Sequence, residues 1–308
     1  MSVDNPSGDP ATNRPRTYAV AGQLIHADSL APGLYVVATP IGNLGDITLR
    51  ALETLAAADV VACEDTRITQ KLLERYRIRA AMTPYHDHNA AAARPAILRR
   101  LAESKAVALV TDAGTPLISD PGFKLVRAAQ AAGHRVFAVP GASSVLAALC
   151  VAGLPTDRFY FAGFLPPKPS ARATRIDEFA NLPATIVLFE AGSRIAQTLA
   201  DLAERLGARE AVICRELTKL HEEVKPGLLA EQATHYAGEV EVERRGEFVI
   251  VIGPSKDTPV EVADIDALLR SALANGSTKE AVDAVVGATG ASRRNVYRRA
   301  IALKNNAE

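Results

Sequence analysis

The residues best placed to handle a small polar ligand lie in Thr111-Asp-Ala-Gly-Thr-Pro-Leu-Ile-Ser-Asp-Pro-Gly122, directly after the apolar run Ala106–Val110. Gly114 and Gly122 lack a Cβ and reach backbone angles closed to other residues, while Pro116 and Pro121 fix φ and withhold an N–H. Hydroxyls at Thr111, Thr115 and Ser119 stand among them. Such a segment lets main-chain groups approach a ligand closely, although it also reads as a tight connection whose following helix is capped by Ser119 or Asp120. Two more segments repeat the design: Thr39-Pro-Ile-Gly-Asn-Leu-Gly-Asp46 after Leu34–Ala38, and Pro140-Gly-Ala-Ser-Ser144 after Arg135–Val139. Loops that each follow a buried strand gather at the carboxyl edge of a parallel sheet, where α/β proteins bind ligands. No G-x-G-x-x-G or G-x-x-x-x-G-K-[ST] occurs, so dinucleotide and nucleoside-triphosphate cradles lose their main support.

The elements that carry these loops follow from periodicity. Between Leu34 and the helix 143–151 the chain alternates: strand 34–38, helix 46–58 capped by Asp46, strand 59–63, helix 66–76, strand 80–84, helix 90–103, strand 106–110, helix 123–132 and strand 135–139. Val- and Ala-rich strands of this kind are buried on both faces, as parallel sheets require. After Gly153-Leu-Pro155 a second α/β series predicts strands 159–164, 185–189, 210–214 and 247–252 with helices 170–180, 193–206 and 227–236, in a sheet that is at least partly mixed. The expected organisation is a flexible tail over 1–30, an α/β domain over 31–153, a second over 154–254, and a helical module over 260–305.

Composition narrows the classes. Lys plus Arg and Asp plus Glu both number 35, so overall charge points to neither nucleic acid nor membrane, and a surface for either must be local. The three cysteines are far apart in apolar surroundings and read as buried thiols of a reducing compartment. Without an export signal or a transmembrane stretch, a cytoplasmic, non-membrane protein is expected. His86, Asp87 and His88 lack a third ligand at suitable spacing, and His221-Glu-Glu is not H-E-x-x-H, so no metal is expected.

Local basic surfaces do occur. Thr278–Val286, a glycine turn and Arg293–Leu303 have helix-turn-helix spacing. Arg293, Arg294, Arg298, Arg299 and Lys304 follow Asp283 with no acid before Glu308. On the last helix Val296, Tyr297, Ala300 and Ile301 are expected to form the buried stripe. This is either a nucleic-acid reader or a solvated helical module. Lys168, Arg172 and Arg175 likewise read as an RNA-binding arm or as a solvated helix start.

Taken together, the segments resemble the tetrapyrrole methylase superfamily. The matching motifs are Ala38–Arg50, Glu64-Asp-Thr-Arg67, Tyr85-His-Asp-His-Asn89, Thr111–Gly122, Val139–Ser144, Phe164-Leu-Pro-Pro-Lys168, Phe189-Glu-Ala-Gly-Ser-Arg194, Arg215-Glu-Leu-Thr-Lys219 and Gly246–Gly253. The resemblance implies a two-domain tetrapyrrole-methylase-like α/β fold with a small C-terminal helix-turn-helix-like module. It implies a homodimer that binds S-adenosylmethionine in the cleft between domains, and 2′-O-methylation of a cytidine in the decoding region of 16S rRNA within the 30S subunit. Carried over position by position, the cofactor residues would be Pro40, Gly42, Gly114, Thr115, Pro116, Ile118, Ser143, Ser144, Phe189, Leu217 and Phe248. Departures are Asp87, where a Glu is commoner, and a longer amino-terminal tail.

A ribose hydroxyl is a weak acid and needs help in losing its proton. Glu64, Asp65 and Glu216 are candidates within the matching motifs, and the assigned catalytic set is Glu190, Lys219 and Arg67. Glu190 is taken as the proton acceptor, while Lys219, Arg67 and Arg194 hold phosphate or developing negative charge; each could instead be a structural ion pair. RNA contacts are expected from Lys168, Arg172, Arg175, Arg194, Arg294 and Arg298. Two alternatives remain: methylation of a tetrapyrrole or another small acceptor, and a helix-turn-helix regulator with an α/β sensing domain.

Overall fold

The computed structural model describes residues 15–238, 245–255, 262–289 and 293–305. One compact unit holds the chain to Gly153 together with Ile213–Lys225 and Gly246–Val249; the other holds Leu154–Val212, Pro226–Arg245 and the chain from Ile250.

The first unit begins with an antiparallel hairpin, β1 (Thr17–Val20) and β2 (Gln23–His26), inside the segment expected to be a flexible tail. Ala21 and Gly22 turn the chain with φ of 50° and 82°, the double positive φ of a two-residue hairpin loop. Tyr18 is buried in the main core. The Pro- and Gly-rich composition of the preceding residues obscures this short alternating pair, and residues 1–14 lie outside the described ones.

A five-stranded sheet follows, built from β3 (Gly33–Val37), β4 (Val60–Cys63), β5 (Met82–Pro84), β6 (Ala106–Val110) and β7 (Val136–Val139), in the order β5-β4-β6-β3-β7. All four pairings are parallel. Consecutive residues of a strand face opposite sides, and two cores result. Tyr35, Val37, Val61, Ala108 and Val110 join one with Leu52 and Leu55 of α1 (Leu49–Ala57) and Leu72 of α2 (Thr66–Arg75). Leu34, Ala62, Val107 and Leu109 join the other with Ile97 of α3 (Ala90–Ala102) and Leu125 of α4 (Phe123–Ala131). Helix α5 (Ser144–Ala152) follows β7 and ends on Gly153, which is left-handed at φ 64°. Helix α1 starts later than expected. Thr48, not Asp46, accepts the capping bond from the Ala51 amide, because residues 44–46 are spent on a 3-10 turn capped by Asn43.

The second sheet runs β11 (Glu223–Leu228), β10 (Glu210–Arg215), β12 (Glu247–Ile252), β9 (Thr185–Ala191), β8 (Phe159–Phe164). β8 and β9 are parallel. The amide of Glu216 bonds the carbonyl of Glu247 and the amide of Gly253 bonds that of Glu210, which makes β10 and β12 antiparallel, so the sheet is mixed as expected. Strand β11 is not among the expected strands. It lies at the sheet edge, where Pro226 costs no interior ladder bond. The remaining helices of this series are α6 (Pro169–Phe179), α7 (Ile195–Leu206) and α8 (Leu229–Gly238).

The chain ends in α9 (Val262–Asn275), α10 (Thr278–Thr289) and α11 (Arg293–Asn305), packed around Leu269, Val282, Val285, Val296 and Ala300. Ser277 and Glu280 form a capping box at α10, with the Ser277 amide donating to Glu280 at 2.9 Å. No described helix is long and apolar enough to cross a membrane.

Candidate functional site

All five strands of the first sheet point their carboxyl ends the same way, so the loops after them meet at one edge. The loops after β3 and β6 are joined there. Thr39 and Gly114 form an isolated antiparallel bridge, with Thr39 N to Gly114 O at 2.9 Å and the return bond at 3.1 Å. The Thr39 hydroxyl also donates to the Thr111 carbonyl at 3.1 Å. The loop after β7 joins through Thr115, whose hydroxyl donates to Ala142 O at 3.0 Å. Gly114 has φ 80°, and a Cβ there would sit 3.2 Å from Ile41 Cγ2. Leu117 and Ser119 are held at φ 75° and 63°. Non-glycine residues in that region cost about 1–3 kcal/mol each and cluster at ligand sites. Ile118 is exposed between them. Neither Ser119 nor Asp120 caps α4; its cap is Gly122, with no side-chain bond.

The segment 216–219 completes this edge within the first unit. Thr218 accepts from the Asn43 amide at 3.1 Å, and Glu216 and Thr218 both have positive φ. The Lys219 ammonium donates to Glu216 Oε1 and Glu247 Oε2, each at 2.9 Å. Burial disfavours its charge, but the two carboxylates more than offset this and raise its pKa. Lys219 is therefore a fixed cation and not a base. A Cβ on Gly42 would lie 2.4 Å from Lys219 Cγ, so glycine makes room for the lysine stem.

Two cavities open here. The larger, about 280 Å³, is walled by Pro40, Ile41, Leu44, Ile68 and Leu72, with Asp112 and Lys219 among its polar groups. The smaller, about 70 Å³, is bounded by Ser144, Leu217 and Val249 and shares Ile41, Ala113 and Glu247 with the first. Of the expected cofactor residues, Pro40 and Gly42 thus line one cavity, and Ser144 and Leu217 the other. Ser143 is the N-cap residue of α5 without a side-chain capping bond, which leaves its hydroxyl to other partners. Phe248 is buried under the Arg215 guanidinium, 5.8 Å from the ring centre.

A carboxyl cluster stands at the same edge, and sequence alone does not single it out because its members come from separate loops. Burial first, and then Asp112, raise the Glu64 pKa. Burial also raises Asp112, whose Oδ1 accepts from the Asp65 amide at 3.0 Å. Burial and the Glu64 charge push Asp120 up to about 7. Asp65 behaves oppositely: its bidentate bond to Arg67 lowers it to about 2. Arg67 is thereby occupied, though its side chain is 86% exposed. Among the described residues, no group of three His, Cys, Asp or Glu side chains could hold a metal.

Several expected residues of the second unit are engaged in contacts within it. The Glu190 side chain is wholly buried, accepting from Thr198 Oγ1 at 2.6 Å and its neighbour's amide at 2.8 Å, with Arg194 at 3.2 Å. It has no solvent face on which to receive a proton. Arg194 also donates to Leu165 O at 2.6 Å. Arg172, expected on RNA, is buried against Asp201 at 2.5 Å and the Pro167 carbonyl. Arg175 pairs with Glu178 and Tyr160, while Lys168 is exposed. Phe189 stacks edge-on with Phe161 and Phe164.

Helix α11 is also rotated from expectation. Val296 and Ala300 are buried, but Tyr297 and Ile301 are exposed by 52% and 37%. The core stripe therefore continues through Leu303, which packs against it. Arg299 ties α11 to Asp266 of α9 with bonds of 2.8 and 2.9 Å, and Arg293 pairs with Asp283. Arg298 and Lys304 are exposed; the side chain of Arg294 lies outside the described ones.

The family of Tetrapyrrole (Corrin/Porphyrin) Methylases matches residues 33–233. The chain belongs to the tetrapyrrole methylase family. A second family, the RsmI C-terminal HTH domain, matches 259–304. Relatives named ribosomal RNA small subunit methyltransferase I include one from Mesorhizobium japonicum, 50% identical over 91% of this chain and 95% of its own. Another, from Xylella fastidiosa, is 46% identical over 86% and 98%. Among solved structures, the conserved hypothetical protein APE0931 from Aeropyrum pernix covers 90% of this chain and 98% of its own at TM-score 0.58 and 22% identity. Uroporphyrin-III C-methyltransferase from Thermus thermophilus, complexed with S-adenyl homocysteine, covers 72% and 97% at TM-score 0.51 and 22% identity.

The expected fold class and enzyme class are thus borne out: this tetrapyrrole methylase is a methyltransferase with a C-terminal helical module. Its first unit offers main-chain groups and hydroxyls on three joined loops, one fixed cation and a carboxyl cluster.

Proposed function

We propose that the chain transfers a methyl group from S-adenosylmethionine to the 2′-oxygen of a cytidine in small-subunit ribosomal RNA, acting in the cytoplasm as a homodimer on the 30S subunit. The observation that carries this is the identity of 40–50% with proteins named for that activity class, along nearly the full length of both partners.

The residues present suit such a donor. Gly114 leaves the approach to Ile41 free of a Cβ, the Ser143 hydroxyl is not used for capping, and Ser144 and Leu217 bound the smaller cavity. We place the donor against 113–118 and 143–144. When bound, S-adenosylmethionine supplies an activated methyl on its sulfonium. The protein's share is to bind, orient and exclude water, since alignment of the reacting atoms accounts for much of such a rate. Proton acceptance falls to Glu64 and Asp120 of the carboxyl cluster, where a carboxyl near 7 matches what a general base requires. A cavity of about 280 Å³ lies just below the roughly 300–1,000 Å³ typical of small-ligand pockets, which suits one nucleoside better than a macrocycle.

The test is transfer of labelled methyl to 30S subunits purified from cells lacking the enzyme, with naked rRNA and a porphyrinogen as parallel acceptors. Label is expected on a cytidine ribose of 30S rRNA. Label on the porphyrinogen and none on RNA would overturn the assignment.

A further inference from the structure

The larger of the two cavities at the carboxyl edge of the first sheet lies beside the proposed donor site rather than in it, and its chemistry is specific. We propose that it is the acceptor-base pocket, which receives a cytosine swung out of the RNA, with the Asp112 carboxylate accepting from the exocyclic amine and Lys219 facing the ring's carbonyl edge. This rests on the proposed RNA substrate.

The walls come first. Leu44 and Ile68 are 40% and 42% exposed and line the cavity with Pro40, Ile41 and Leu72. Apolar side chains held open to solvent around a small concavity suit the two faces of a planar base. RNA is read in this way, by splaying out unstacked bases and bonding their edges.

The polar groups then choose among bases. Asp112 Oδ1 is anchored by the Asp65 amide at 3.0 Å, and Oδ2 accepts no hydrogen bond among the described residues. An ammonium has three N–H donors; Lys219 spends two on Glu216 and Glu247. Asp112 and Lys219 therefore offer one fixed acceptor and one fixed donor at this cavity. Cytosine presents an amine donor beside ring acceptors, whereas uracil presents a carbonyl where the amine would be and is repelled by a carboxylate.

Position separates this pocket from the donor's. The two cavities share Ile41, Ala113 and Glu247. A base in the larger and a donor at the smaller bring the acceptor ribose to that shared wall. Lys71, exposed on α2 at the larger cavity, suits a phosphate-bearing ligand; the donor carries no phosphate. Pro40 and Gly42, expected on the cofactor, are thereby assigned to the acceptor.

The experiment uses full-length wild type and Asp112→Asn on 30S subunits carrying cytidine or uridine at the methylated position. It measures kcat/KM for each acceptor and, separately, donor affinity by calorimetry. An asparagine amide satisfies either base, so the preference for cytidine is expected to fall by about tenfold or more, the range of one well-formed base contact, with donor affinity unchanged. Unchanged preference in a folded variant overturns the proposal. So does weakened donor binding without a change in preference, which would put the donor's adenine in the pocket. Should Asp112→Asn not fold, Ile68→Trp at the exposed mouth replaces it: KM for 30S is expected to rise at constant donor affinity, and an unchanged KM overturns the proposal. Wild type inactive on every RNA would instead remove the functional reading itself.

Discussion

At the scale of single residues, environment separates carboxyls that look alike in the sequence. Asp65 and Asp120 both belong to loop motifs, yet one is lowered to about 2 by Arg67 and the other is raised to about 7 by burial beside Glu64. The folded state thus holds a proton on Asp120 that the unfolded chain releases near pH 4. That contribution to stability is complete below pH 4 and is lost as pH rises toward about 7. Asp120→Asn has no such proton to lose. It is expected to gain stability over wild type progressively between pH 4 and pH 8, seen as a rising difference in urea midpoint; a constant difference would refute it. Glu190 makes the contrasting case. Glu190→Ala leaves the buried Thr198 hydroxyl without its acceptor, which costs about 1–3 kcal/mol. The loss should appear in denaturant unfolding, while the pH dependence of kcat in the folded fraction stays as in wild type. A lost acid limb in that profile, the fall at low pH that marks protonation of a general base, would restore Glu190 as the proton acceptor.

At the scale of elements, the legible and illegible parts divide by how local their causes are. Strand β6 has the same bounds in sequence and structure, because five consecutive buried apolar residues end in a turn-forming loop. The β1–β2 hairpin and β11 are not legible in this way: each is short, and each is recruited by a neighbour rather than by its own pattern. Helix α11 shows a subtler limit. Val296, Tyr297, Ala300 and Ile301 cover two adjacent stripes of one helix, and only packing on α9 and α10 selects the stripe through Val296 and Ala300. The exposed face keeps Tyr297, Arg298 and Lys304. Charge reversal at Arg298 and Lys304 together should weaken rRNA binding and reduce its salt-dependence slope by about 1–2, one for each phosphate no longer neutralised. Filter binding across a salt series measures this, and an unaltered slope would remove α11 from the RNA interface.

At the scale of the whole molecule, the helical module has its own core around Leu269, Val285 and Val296, and no described residue from 262 onward borders either cavity. Ending the chain at Ser255 should therefore spare donor binding, measured by calorimetry, while affinity for 30S subunits falls. Lost donor binding would show that the module supports the catalytic body.

Much of this protein is written in one dimension. Alternating strands and helices, three hydroxyl- and glycine-bearing loops after buried strands, and a basic terminal helix follow from neighbours in the chain, and so does the resemblance to a methyltransferase family. Which charges are spent is a different matter. Arg172 on Asp201, Glu190 under Thr198 and Lys219 between Glu216 and Glu247 are pairings across 29, 8, 3 and 28 residues. Such pairs leave no periodic trace, since burial and distance alone turn a side chain into a structural tie or leave it for a ligand. The same holds for Asp112 and Asp120, ordinary loop carboxylates until folding removes their water and sets them beside Glu64.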